Sequence, residues 1–341
     1  MSVTIKDVAR EANVSPSTVS KVMNHSPSIP DTTVRHVQEV MRRLRYYPNL
    51  QARNFVKKTT MNIVFLMRLS PHIAFEDPHM FDILCGVQEV LAKKDYNLSL
   101  VGIHELEEST ETVRRIIAQK SADGIVVHGS ANTRDLANLL LETQFPHILI
   151  GQPNFESQIC WIDVNNFFSG QLAAEHLCKC GFDRIAFLCG SREDKIFSQR
   201  LSGFLSVMEK RRMSVPGEYI KYGDASSENS FKLMNELLSC PTRPNAVICE
   251  DNAVAFGAIR AIRQRGLTIP KDLGLICFDN YPFSEILTPM PTVVDINVHD
   301  MGMQAATLLL RKIRHPELQV QTFTTMPILK VRSTTAVTGI I

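Results

Sequence analysis

The sequence predicts a small all-α helix-turn-helix head followed by an α/β core of two doubly wound parallel-sheet lobes. Three observations carry that expectation. Residues 4–24 have the capping residues and apolar spacing of two short helices joined by a tight turn. Positive charge is concentrated in the first 58 residues. From Met61 onward, short apolar runs alternate with helical patterns in two successive series.

The head can be read residue by residue. Thr4 can cap the first helix, with Asp7 three positions on as in a capping box, and Ile5, Val8, Ala9 and Ala12 fall on one helical stripe. Asn13, Val14 and Ser15 make the turn. Ser15 is a favourable N-cap and Pro16 suits the first helical position, where its missing N–H would have had no intrahelical partner. Val19, Val22 and Met23 pack this second helix on the first. Pro16, Ser17, Ser20 and Lys21 then face outward near its start, where a recognition helix meets base edges in the major groove. Asp31 is placed to cap a third helix whose Val34, Val37, Met41 and Leu44 close a small core. Pro48 to Phe55 reads as a second, short DNA-contacting element.

Charge supports that reading. Residues 1–58 hold ten Lys and Arg against four Asp and Glu, a net of +6; the whole chain is +2, so the remainder is −4. A basic head on a mildly acidic body is the footprint of phosphate binding. A length of 341 residues suits such a head plus a two-lobed body, and 44% hydrophobic with 21% charged residues describes a globular protein with a sizeable core. No run of eighteen apolar residues occurs, and Met1 to Lys6 lacks the apolar stretch of a secretory signal, so a cytoplasmic protein with no membrane partner is expected. Eight cysteines show no C-x-x-C pair, and several lie inside apolar runs such as Val247-Ile248-Cys249, as small hydrophobes do. Cys178-Lys179-Cys180 is the one pair with the spacing to suggest a redox switch.

In the body, Asn62–Met67, Leu98–Val101, Gly124–Val127 and His147–Ile150 read as buried parallel strands, with helices near Met80–Lys93, Thr110–Ala118 and Asp135–Leu141 between them. The second series has strands at Ile185–Leu188, Tyr219–Tyr222, Ala246–Cys249 and Gly274–Phe278. Its helices fall near Gly170–Cys178, Arg200–Arg211, Ser230–Leu238 and Val254–Arg265. Ligands of such folds bind outside the carboxyl ends of the strands, which makes a cleft between facing lobes the natural site.

Thr4-Ile5-Lys6-Asp7-Val8-Ala9, Val14-Ser15, Thr18 to Val22, Asn24, Tyr47-Pro48-Asn49 and Ala52 closely resemble the head of the lactose-repressor/galactose-repressor family of bacterial transcription regulators. The resemblance implies a helix-turn-helix domain over 1–47, a hinge helix and linker over 48–59, and an effector-binding and dimerisation core over 60–341. It implies DNA contacts by Thr4, Ser15, Pro16, Ser17, Thr18, Ser20, Lys21 and Asn24, and by Tyr47, Asn49, Ala52, Arg53 and Phe55 around the hinge. By register Phe55 stands where the family wedges a leucine into the minor groove, a role open to phenylalanine as well. Lys21 can donate to guanine and Ser17 can serve several bases, whereas Pro16 offers only apolar contact.

Asp163 to Gly170, Arg200-Leu201-Ser202-Gly203-Phe204, Ala255 to Ala258 and Phe278-Asp279-Asn280 resemble landmarks of the family's core, which is like periplasmic binding proteins. This implies three crossings between lobes, lobe one taking about 60–162 and 293–323 and lobe two about 163–292 and 324–341. A helix at Asp300–Arg311 would return to the first lobe and a strand near Met326–Val331 to the second. Arg200 resembles the effector-clamping arginine and Asp279 the aspartate that accepts hydrogen bonds from the effector. Asp251 and Asn252 share one further position, and His79, Met80, Gln152 and Asp194 complete the expected cleft. A homodimer on a pseudo-palindromic double-stranded operator is implied, acting as a repressor with a small-molecule effector, a sugar or sugar derivative, and no cofactor. A nucleobase or a phosphorylated carrier protein is the alternative effector.

Other classes find little support. The carboxylates Asp163, Glu175, Asp183, Glu193 and Asp194, with His176, have no spacing that forces acid-base catalysis or metal binding, and solvated faces account for them. Neither a G-x-G-x-x-G after a strand nor a GK[ST] phosphate loop occurs, so the chain is not expected to be an enzyme. A solute-binding protein would share the core but not the basic head.

Overall fold

The computed structural model describes residues 3–23, 26–46, 59–71, 79–319 and 322–336. The chain divides into two compact units, Met1–Met61 and Asn62–Ile341.

In the first unit, helices α1 (Ile5–Glu11), α2 (Pro16–Met23) and α3 (Asp31–Arg43) enclose a core of Val8, Ala9, Ala12, Val19, Val22, Val37 and Val40. The capping box is present at α1, where the Thr4 amide and hydroxyl both donate to Asp7 Oδ2 at 2.9 and 2.7 Å. The turn passes through Asn13 at φ +49°, a left-handed conformation that asparagine tolerates better than most residues. Ser15 Oγ then accepts from the Thr18 amide at 3.1 Å and starts α2. Asp31 does not cap α3. Pro30 takes that position and Asp31 is the first helical residue, where its carboxylate still complements the positive end of the helix dipole.

The second unit contains two six-stranded sheets. The first comprises β1 (Asn62–Arg68), β2 (Asn97–Ile103), β3 (Gly124–His128), β4 (His147–Ile150), β5 (Trp161–Val164) and β11 (Thr322–Thr325), in the order β11-β5-β4-β3-β1-β2, all parallel. The second comprises β6 (Ile185–Leu188), β7 (Ile220–Lys221), β8 (Ala246–Cys249), β9 (Gly274–Phe278), β10 (Thr292–Asp295) and β12 (Ile328–Lys330). Its order is β12-β10-β9-β8-β6-β7, with only the β10–β12 pair antiparallel. Central strands such as β6, β8 and β9 are buried along their whole length, which is why they read as continuous apolar runs rather than alternating ones.

Helices cover both faces of each sheet. On the first, α4 (His79–Ala92) and α11 (Val298–Arg314) pack over one side through Ile83, Val87, Met301 and Leu309, and α5 (Glu108–Gln119) and α6 (Arg134–Glu142) over the other through Val113, Leu136 and Leu140. On the second, α7 (Asn166–Lys179) and α8 (Lys195–Lys210) cover one side through Leu177, Phe197 and Phe204. Helices α9 (Ser227–Leu238) and α10 (Asn252–Gln264) cover the other through Met234, Leu237, Ala258 and Ile262. The α7–α8 crossing depends on two glycines. A Cβ on Gly170 would lie 1.9 Å from the Arg200 carbonyl oxygen, and one on Gly203 would lie 1.9 Å from that of Phe167.

The chain passes between the sheets three times, at residue 165, at 296–297 and at 326–327. Lobe boundaries expected at 163, 293 and 324 are displaced. Residues through Val164 pair in the first sheet as β5, Thr292–Asp295 pair in the second as β10, and β11 runs to Thr325 in the first. Sheet membership of a four-residue strand is decided by partners far along the chain, which local periodicity does not report. Tyr219 likewise leaves the expected strand: it belongs to a 3₁₀ turn, with its hydroxyl donating to the Thr242 carbonyl at 2.6 Å.

Candidate functional site

On the head, the outward face of α2 is built by its own cap. Pro16, Ser17 and Lys21 are exposed, Thr18 and Ser20 half-buried, and Val19 and Val22 hold the opposite face in the core. Ser15 Oγ lies 2.7 Å from Ser17 Oγ and 2.9 Å from Thr18 Oγ1, so the three hydroxyls are ordered as one polar row at the helix start. Thr4 and Ser15 are exposed as well. Asn24, Tyr47, Asn49, Ala52, Arg53 and Phe55, and with them the expected hinge segment up to residue 58, lie outside the described residues.

The core places a second site at the carboxyl ends of strands from both sheets. Its centre is Arg200 on α8, only 5% exposed. Its Nε donates to Asn166 Oδ1 at 3.1 Å. Nη1 donates to the Glu250 carbonyl at 3.1 Å and to Glu250 Oε1 at 3.0 Å, and the guanidinium lies over the Phe278 ring at 4.2 Å. Nη2 is 3.9 Å from Asp279 Oδ1, beyond hydrogen-bond range. Phe197 and Phe204, one turn away on the same helix, anchor α8 against the Phe187 ring of β6 and so fix where Arg200 projects.

Asp279 follows β9 at φ +73°, with its amide donating to the Val294 carbonyl at 2.9 Å. Its Oδ2 is 2.9 Å from His79 Nε2, at the start of α4 on the first lobe, and the His79 ring packs edge-on against Tyr281 with centroids 4.3 Å apart. A second link runs from Gln199 Nε2 to Gln152 Oε1 at 2.8 Å, and a third from Lys195 Nζ to the Pro153 carbonyl at 3.1 Å. His79 and Gln152 therefore reach the second lobe directly, and the cleft is bridged by polar contacts on two sides.

The site is rich in acid. Burial pushes the Glu250 carboxyl up to about 8 against the pull of Arg200, with Asp194, Asp251 and Asp279 pushing the same way. Burial likewise raises Asp163, and takes Asp251 to about 6. Burial also pushes Asp279 upward, but His79 and Arg200 together outweigh it and hold this carboxyl below its usual value. Burial opposes the charge on Arg200, yet the surrounding carboxylates keep it firmly protonated.

Several expected cleft residues have other duties. Asp251 caps α10, accepting from the Val254 amide at 2.7 Å while standing near the cluster. Asn252 is turned inward, its Nδ2 donating to the carbonyls of Phe278 and Asp279 at 3.2 and 2.9 Å, so it braces the strand end that carries Asp279. Asp194 is exposed and caps α8 through the Ile196 amide at 2.8 Å. Met80 is 2% exposed and packs in the first lobe's core; a helix start and a cleft wall have the same apolar spacing in sequence. Asp163 is not a solvated loop residue. It is buried, accepts from the amides of Gln152 at 2.9 Å and Val164 at 2.7 Å, and couples to Arg200 and Asn166.

Glu250 and Asn166 were not expected in the site. The signal for Glu250 was its place directly after the apolar strand Ala246–Cys249, the position from which such folds present ligand-binding groups. All eight cysteines are free thiols; burial pushes Cys178 and Cys180 upward, which opposes thiolate chemistry at that pair. Among the described residues no cluster of His, Cys, Asp and Glu is arranged to hold a metal ion, and no helix is long and apolar enough to cross a membrane.

Comparison with known proteins gives consistent results. Residues 4–49 match the family of bacterial regulatory proteins, lacI family, and residues 174–335 match a periplasmic binding protein-like domain. The HTH-type transcriptional repressor PurR of Actinobacillus pleuropneumoniae serotype 3 is 30% identical over 318 residues, covering 93% of each chain. PurR of Haemophilus influenzae strain PittEE is 30% identical over 327 residues, covering 95% of each. Among solved structures, the lac repressor dimer bound to operator and the anti-inducer ONPF superposes with a TM-score of 0.82 at 22% identity, covering 99% of this chain and 100% of that one. A complex of the transcriptional regulator CelR with cellobiose superposes with a TM-score of 0.73 at 24% identity, covering 97% and 99%.

Proposed function

The chain belongs to the lacI family of bacterial regulatory proteins and is an effector-controlled DNA-binding regulator; we propose that it works as a cytoplasmic homodimeric repressor whose effector binds between the core lobes at Arg200 and Asp279. Pro16, Ser17 and Lys21 read base edges of each half of a pseudo-palindromic operator, and the segment around Phe55 completes the contact at its centre. One observation carries the cleft assignment. A buried arginine at the carboxyl ends of the strands has an Nη2 edge 3.9 Å from Asp279 Oδ1, so a hydroxyl oxygen placed beside both can accept from one and donate to the other. Paired hydroxyls of a sugar suit that edge, while a planar nucleobase would need an aromatic face such as Tyr281 or the His79 ring offers.

The lobes supply the means of control. His79 to Asp279 and Gln199 to Gln152 hold them together across the cleft, and an effector that replaces the first contact changes the balance between lobe arrangements by its differential affinity for them. DNA must then alter effector affinity by the same factor. A thermal-shift screen of sugars, sugar acids and nucleobases identifies the ligand, and Arg200→Lys tests the site, since a lysine cannot reach Asn166 and Glu250 together. Loss of the ligand-induced shift in that variant is the expected result; an unchanged shift places the effector elsewhere.

A further inference from the structure

We propose that the cleft accepts a hydroxylated ligand carrying a positive charge, in the class of an amino sugar with a protonated amine, and rejects the corresponding sugar acid. This rests on the effector-site reading above and narrows the ligand class. Arg200 is the only Lys or Arg among the buried polar residues described. Its Nε and Nη1 are already engaged by Asn166 and Glu250. Around it stand Asp163, Glu250 and Asp279, all buried, with Asp251 at the α10 cap and Asp194 at the exposed start of α8. A ligand carboxylate or phosphate would enter an environment with an excess of acid and one Nη2 edge to receive it, and bringing like charges together out of water is costly.

A second observation is independent of the count of acids. Glu250 Oε2 and Asp279 Oδ1 are buried without a hydrogen-bond partner, on residues 7% and 6% exposed. Native proteins rarely leave such atoms unmet, so the pair describes what the ligand must bring. An ammonium, with three N–H donors, meets both oxygens, and its charge favours the ionised form of Glu250 that burial otherwise opposes. The first lobe already uses this preference: His79 places a ring nitrogen 2.9 Å from the other oxygen of Asp279.

The test is calorimetric titration of the full chain at neutral pH with glucose, galactose and mannose, each as the parent sugar, the 2-amino-2-deoxy sugar and the aldonic acid. An ionised partner roughly doubles the strength of a buried hydrogen bond, so at least one amino sugar should bind about tenfold or more tighter than its parent. Its acid should bind no tighter than the parent, and Glu250→Gln should remove most of the preference for the amine. A parent sugar or acid that binds tighter than its amine, and is weakened by Arg200→Lys, overturns the charge class and leaves the effector site standing. Binding indifferent to Arg200→Lys overturns both. Failure of every compound to bind overturns the inference, as does an amine preference unchanged in Glu250→Gln.

Discussion

Glu250→Gln should make the protein less sensitive to rising pH. The substitution keeps the side chain's size and an oxygen able to accept from Arg200 Nη1 at 3.0 Å, but removes a carboxyl that burial has pushed from 4.5 to about 8. A group whose folded value lies above its unfolded one holds its proton longer when folded. The protein therefore loses stability as pH climbs from about 4.5 toward 8, because the unfolded chain ionises first. At about 1.4 kcal/mol per unit, a displacement of this size corresponds to roughly 5 kcal/mol as an upper figure, and about half of that is a reasonable working value once local relaxation is allowed. Asp251 acts in the same direction between 3.8 and about 6 and is untouched by the substitution, so some of the slope persists. Asp279, held low, acts oppositely: its contribution is present above its unfolded value and fades in acid. Urea unfolding of wild type and variant, followed by far-UV circular dichroism at pH 5, 6, 7 and 8, reads the difference directly. The variant should gain on the wild type steadily from pH 5 to 8. A constant deficit at all four values, or one that grows with pH, would mean that Glu250 is ionised beside Arg200 throughout, and the reasoning would fail.

Other consequences are as definite. Arg200→Ala leaves Glu250, Asp279 and Asp163 without their shared cation and should cost about 3–5 kcal/mol by denaturant unfolding; a loss under 1 kcal/mol would show the arginine to be solvated. Gly170→Ala drives a methyl into the Arg200 carbonyl, so α7 and α8 must part; a lower thermal midpoint together with weaker effector binding is expected, and an unchanged midpoint would contradict the close crossing. Lys21→Ala should weaken binding to the preferred duplex more than to random DNA, whereas equal losses would reduce Lys21 to a phosphate contact. Phe55→Ala should likewise spare non-specific binding and weaken operator binding, and equal losses would remove it from the operator centre.

The parts of the fold that could be read in sequence are those whose environment is uniform along the segment. Ile185–Leu188, Ala246–Cys249 and Gly274–Phe278 are buried on both faces and bounded by polar residues, and their limits are legible to the residue. Trp161–Val164 and Thr322–Thr325 are not, because one is a four-residue run beside a loop and the other alternates exposed and half-buried positions at the edge of the sheet. The same division holds at the site. Arg200 and Asp279 stand in motifs recognisable along the chain, but Asn166 and Glu250 join Arg200 across 34 and 50 residues, and only the fold brings them together. Capping residues are ambiguous in sequence for a related reason: Asp194 and Asp251 follow strands as ligand-binding residues do, and each also starts a helix and bonds its amides.

The coupling between cleft and DNA is tested most directly by one titration. Duplexes selected from a random pool by the full chain are labelled, and binding is followed by fluorescence anisotropy with and without a saturating amount of the ligand found by thermal shift. The selected sites should contain two related half-sites and lose affinity steeply with added salt. Ligand should change their affinity by about fivefold or more, with DNA changing ligand affinity by the same factor. Operator affinity that stays the same at saturating ligand would contradict control of the head by the cleft.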